Sequence, residues 1–91
     1  MPTGTRDEPS EFTEALMTVI RAKMGMLQMN IADLSRKTNI PRSTLSRIVN
    51  SKRQADIDQI RVIAIALNMP MAQLMSSADD ILAGKDPFQA G

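Results

Sequence analysis

The sequence predicts an all-α domain of five helices, and three observations carry that prediction. Apolar residues recur at three- and four-residue spacing in five successive segments. Residues suited to helix caps and stops bound those segments. No alternating run long enough for a strand, no internal repeat and no low-complexity tract interrupts them. A chain of 91 residues has room for one modest core, and its 43% hydrophobic and 23% charged content is ordinary for a folded domain.

Residues 1–9 mix Pro, Gly, Thr and charge without apolar periodicity and read as a flexible amino-terminal arm, in which Arg6 stands beside Asp7 and Glu8. Ser10 then offers an N-cap, Glu11 and Glu14 place negative charge on a first turn, and Phe12, Leu16, Val19 and Ile20 recur at helical spacing up to Lys23. Gly25 is the expected stop, followed by an apolar connector that runs to Met29. Asn30 caps a second, short helix from Ile31 to about Lys37, with Asp33 near its amide-rich end.

Thr38, Asn39 and Ile40 form the next turn, since Asn tolerates a left-handed backbone. Pro41 suits a first helical turn and opens a third helix to about Asn50, with Leu45, Ile48 and Val49 on its inner side. Asp56 and Gln59 make a capping-box pattern, and Ile57, Ile60, Ile63, Ala64 and Leu67 supply the apolar face of a fourth helix that ends at Asn68, before Pro70. Met71, Leu74, Met75, Ala78, Ile81 and Leu82 form the stripe of a fifth, stopped by Gly84. Ser77, with Asp80 three residues on, marks a site for a break in it. The domain is thus expected over residues 10–83, with 84–91 as a flexible carboxy-terminal tail.

Composition excludes most chemistry. Cys and His are both absent, which removes disulfides, thiolate and imidazole metal sites and nucleophiles activated by His. The carboxylate pairs Asp56/Asp58 and Asp79/Asp80 sit at expected helix starts, where capping and the helix dipole account for them, so no catalytic or metal site is assigned. The aromatic residues are Phe12 and Phe88, and no apolar run approaches the ~18–20 residues of a membrane span. The first residues lack a basic-then-apolar leader pattern, and a cytoplasmic location is expected, without membrane partners.

Net charge is +1, but it is segregated. Residues 1–35 hold three bases against five acids, and residues 54–91 hold two against five. Between them Arg36, Lys37, Arg42, Arg47, Lys52 and Arg53 face no acid at all. Such a stretch is the footprint of a docking polyanion, and equally of a solvated basic face.

Two short helices joined by a tight turn make a helix-turn-helix, in which the second helix enters the DNA major groove. The third helix has the two faces this requires: Leu45, Ile48 and Val49 inward, and Arg42, Ser43, Thr44, Ser46 and Arg47 outward. Arg donates a bidentate pair to guanine, while Ser and Thr hydrogen-bond bases or phosphates.

The run NIADLSRKTNIPRSTLSRIVNSKR, followed by DIDQIRVIAIALNMPMAQL, resembles the phage repressor and Cro-type helix-turn-helix family, also called lambda-repressor-like or XRE. The resemblance spans Asn30 to about Leu74 and rests on apolar Leu34, Ile40, Leu45, Ile48, Ile60, Ile63, Ala64, Leu67 and Leu74 and on the segment IPRSTLSRI. It implies a compact five-helix lambda-repressor-like domain and a DNA-binding transcription regulator, a repressor of the phage-immunity kind, with double-stranded DNA as partner and no cofactor. It further implies base contacts from Arg42, Ser43, Thr44 and Arg47, and phosphate contacts from Asn50, Lys52 and Arg53. Ser46, the Ile31 backbone amide, and Arg36 and Lys37, which also serve the dipole of their helix, complete the expected phosphate set.

Four positions depart from the family pattern: Ile31 replaces Gln, Ser35 replaces Ala, and Asn39 and Ser51 stand where Gly is usual. The connector before Asn30 is also one to three residues longer than usual. A second reading is a helical protein-interaction module, antitoxin-like or an adaptor, that uses the same fold. For it, Met71, Met75, Ile81 and Leu82 on the fifth helix would form a partner surface, or the face of a homodimer.

Overall fold

The computed structural model describes residues 9–85. The expected arm, with Arg6, and the end of the expected tail, with Phe88, lie outside the described residues apart from Pro9, Gly84 and Lys85. Five helices follow one another with no strand among the described residues: α1 (Glu11–Met26), α2 (Ile31–Thr38), α3 (Arg42–Val49), α4 (Ile57–Ala66) and α5 (Met71–Leu82). No single one of them is long and apolar enough to cross a membrane.

Each helix contributes to one core. Met17, Val19 and Ile20 of α1, Leu34 of α2, Leu45 and Ile48 of α3, Ile63 of α4, Leu67 at its cap, and Leu74 of α5 are all fully buried. All nine apolar positions that carry the family resemblance are buried as well. α1 lies mainly along α5 and also touches α3, α2 bridges α3 and α4, and α4 meets α5. Each large apolar side chain removed from water in this way contributes about 1.5–3 kcal/mol, which is how helices of eight residues persist at all.

Side-chain capping follows the sequence closely. The Ser10 hydroxyl accepts from the Thr13 N–H at 3.1 Å. Asn30 with Asp33, and Asp56 with Gln59, each form reciprocal capping boxes.

Helix ends follow a rule that the sequence hides. In α1, α3, α4 and α5 the chain turns left-handed two residues past the helix, at Gln28, Ser51, Asn68 and Gly84, with φ of 53°, 58°, 58° and 80°. The next residue's N–H then reaches back five residues: Met29 to Met24, Lys52 to Arg47, Met69 to Ala64 and Lys85 to Asp80, at 2.7–2.9 Å. Three of these stops are not glycine.

Several expected boundaries are corrected accordingly. Gly25 does not end α1, which runs to Met26 and stops at Gln28; a helical glycine costs only about 1 kcal/mol and does not force a break. The long connector is thereby absorbed into the helix. α5 does not break at Ser77, because Ser77 and Ala78 are buried on its inward face, and Asp79 and Asp80 therefore lie near its end instead of capping a start. Ile57 does not join the apolar face of α4; it is exposed at the first turn.

Ser51 carries the left-handed strain that a β-carbon brings, roughly 1–2 kcal/mol. Ser51→Gly is expected to stabilise the domain by about 1 kcal/mol, raising the thermal midpoint by roughly 4–8 °C in a melting experiment followed by circular dichroism.

Candidate nucleic-acid interface

α2, the turn and α3 form the helix-turn-helix, and hydroxyl groups hold the turn. The Thr38 hydroxyl donates to the Leu34 carbonyl at 2.8 Å and so stays in α2, one residue beyond the expected end. It also accepts from the Ile40 N–H at 3.3 Å. Ser35 donates to the Ile40 carbonyl at 2.6 Å, so this departure from the family pattern adds a fastening across the turn. Asn39 takes the left-handed conformation, φ 64°, in the place of the usual glycine. The linking residues are therefore Asn39, Ile40 and Pro41.

Pro41 precedes α3 with an extended backbone, ψ 142°, so it stands at the cap position and not inside the first turn as expected. It provides no side-chain cap, so no capping side chain engages the amides of the first turn of α3. At the far end the expected last residue, Asn50, is the C-cap, and its side-chain amide donates to the Ser46 carbonyl at 2.8 Å.

Burial fixes which way α3 faces. Leu45, Ile48 and Val49 point into the core. Ser43, Arg47 and Asn50, spaced i, i+4 and i+7, form the ridge on the opposite side, and all three are exposed. Exposed Arg42 and half-buried Thr44 flank the ridge, with half-buried Ser46 beside Asn50. Lys52 and Arg53 follow in the loop, both exposed, and the Ser51 and Lys52 N–H groups donate to the Ile48 and Arg47 carbonyls, fixing the start of that loop against α3.

Among the described residues the only ion pair joins Arg36 to Asp33. Lys37, Arg42, Arg47, Lys52 and Arg53 thus present exposed positive charge with no carboxylate partner within that set. Ile31 packs its side chain against the core, and the capping box engages the Asn30 and Asp33 amides while leaving that of Ile31 outside it. The residues expected on the fifth helix are less open: Met71, Met75 and Ile81 are half-buried against the core, and only Leu82 is exposed.

Arg21 escaped the sequence reading. From α1 it donates to the Val49 carbonyl at 2.5 Å, placing a cation at the carboxy-terminal end of α3, where the helix dipole favours it. Gln54 similarly donates to the Thr13 hydroxyl at 3.0 Å, tying the loop after α3 to the start of α1. Both contacts join residues far apart in the chain, so no local pattern announces them.

A family model for the Cro/C1-type HTH DNA-binding domain matches residues 19–80, about two thirds of the chain. The chain belongs to this family. The match contains the whole helix-turn-helix and extends from α1 into α5. No curated protein and no solved structure matches the chain. As a Cro/C1-type domain the protein is a DNA-binding transcriptional regulator, and DNA is its partner.

The capping box of this Cro/C1-type motif titrates. The hydrogen bond from the Asn30 backbone N–H holds the Asp33 carboxyl below its ordinary value of 3.8; desolvation opposes it, and the Arg36 guanidinium adds to the lowering by hydrogen bond and charge. A depressed folded value means stability present above the carboxylate range and lost as pH falls through it. Asp33→Asn is therefore expected to lose less stability than the parent between about pH 6 and about pH 3, measured by urea unfolding at each pH.

Proposed function

We propose that this regulator is a sequence-specific repressor of the phage or prophage type, acting in the cytoplasm by occupying a double-stranded DNA operator. Residues 10–83 form its DNA-binding unit, and α3 with its flanking residues 41 and 50 enters the major groove. The observation that carries the reading is the outward ridge of α3, polar and basic, with Arg47 at its centre and no carboxylate paired to it among the described residues. In this reading Arg42, Ser43, Thr44 and Arg47 contact bases. Ser46, Asn50, Lys52, Arg53, Arg36, Lys37 and the Ile31 amide contact phosphates and set the register. The uncapped first turn of α3 supports close approach to the DNA backbone, because unsatisfied helix amides attract phosphate.

Binding to a pooled random duplex of about 30 base pairs at two salt concentrations, with sequencing of the retained DNA, is expected to enrich one motif and to weaken steeply with salt. On that motif Arg47→Ala is expected to lower affinity by about 1–3 kcal/mol and to relax discrimination at one position. Lys52→Ala is expected to weaken all sequences alike and to reduce the salt slope by about 1. Equal losses on every sequence for Arg47→Ala would remove its base-reading role.

A further inference from the structure

The segment between α3 and α4 carries the exposed bases Lys52 and Arg53, and it is tied down at both ends. At its start the Ser51 and Lys52 amides are bonded back to α3, and Arg21 of α1 occupies the last carbonyl of that helix, at Val49. At its end Ala55 is buried and Asp56 caps α4. Between these anchors residues 53–55 make no backbone hydrogen bond among the described residues.

The polar tie of this stretch is a side chain. Gln54 is exposed, yet its amide crosses 41 residues of sequence to donate to the Thr13 hydroxyl of α1 at 3.0 Å. Thr13 is 3% exposed, and its hydroxyl also accepts from that of Ser10, the N-cap of α1, at 3.2 Å. The acceptor is therefore ordered before Gln54 reaches it. An exposed glutamine that nothing holds keeps its rotamer freedom; this one is fixed directly after the two bases and joins their loop to the longest helix of the domain.

We propose that Gln54 is a positioning residue for phosphate contact: by donating to Thr13 it holds the loop against α1, so that Lys52 and Arg53 meet the DNA backbone already ordered. The inference rests on the reading of Lys52 and Arg53 as phosphate contacts, and it adds the residue that presents them. A loop ordered beforehand does not have to be ordered on binding, so the tie raises affinity without making a contact of its own. Losing it weakens all sequences alike, because phosphates carry no sequence information. The salt slope stays as it is, because the number of phosphates neutralised is the same. That signature separates Gln54 from Lys52, whose removal lowers the slope.

The test is the affinity of full-chain variants for the pooled random duplex of about 30 base pairs, and for the motif retained from it, across a salt series. Gln54→Ala is expected to weaken both about three- to tenfold, the size of one hydrogen bond, with the slope unchanged. Thr13→Val, which removes the acceptor, is expected to match it, whereas Thr13→Ser keeps the hydroxyl and the parent affinity. In a chain that already carries Lys52→Ala and Arg53→Ala, Gln54→Ala is expected to have no further effect, an outcome that a general loss of stability does not produce. Gln54→Ala without effect in the parent, or equally harmful once Lys52 and Arg53 are removed, overturns the proposal and leaves the phosphate contacts standing. Lys52→Ala and Arg53→Ala without effect on affinity overturn those contacts and the proposal together.

Discussion

The burial of Leu45, Ile48 and Val49 is the constraint on which the rest of this molecule depends. A helix of eight residues is too short to be stable by its own hydrogen bonds, so α3 exists because its inner face is packed. The same burial fixes its rotation, and rotation decides which side chains face outward. Were α3 turned by one residue, about 100°, Arg47 would leave the centre of the outward ridge. α1 and α2 therefore set the outward ridge indirectly, through the apolar contacts that hold α3 and through two long-range hydrogen bonds, Arg21 to Val49 and Gln54 to Thr13.

Much of this was legible in sequence because it is local. Caps depend on residues three apart, and both capping boxes and the Ser10 cap stand where spacing placed them. The buried faces of α1 and α3 follow from periodicity in the same way. What was not legible depends on competition between neighbours or on distant partners. Gly25 and Ser77 look like punctuation, yet packing of Met24 and Ala78 keeps the helix running through each. The true stops at Gln28 and Ser51 are residues that rarely take positive φ, and only the carbonyls awaiting them five residues back show why they do. For the interface, the outward ridge could be read from spacing, whereas Arg21 could not, since its partner lies 28 residues away.

Charge segregation gains its meaning once it is placed on this scaffold. The described parts of the acid-rich segments form α1, the start of α2, α4 and α5, while the rest of α2, α3 and the following loop carry six bases, five of them without an ion-pair partner among the described residues. The one exception is Arg36, which pairs with Asp33 at the start of its own helix. That pair steadies α2 at the expense of one free cation, and a phosphate would have to compete with a carboxylate for it. The bases on and after α3 face no such competition, so attraction to a polyanion concentrates on α3 and its loop.

The outward side of α4 is the part of the fold that neither core packing nor this electrostatic pattern explains. Val and Ile are poorer helix formers than Glu or Lys by a few tenths of a kcal/mol each. Ile57, Val62 and Ile65 therefore weaken an exposed helix slightly while burying little in the single chain. Charged residues at these three positions would leave Ile60, Ile63 and Ala64 in place and favour solubility. Folding thus supplies no physical reason for the apolar ridge. The core beneath does not require it, because Ile60, Ile63 and Ala64 alone fill the inward side of α4.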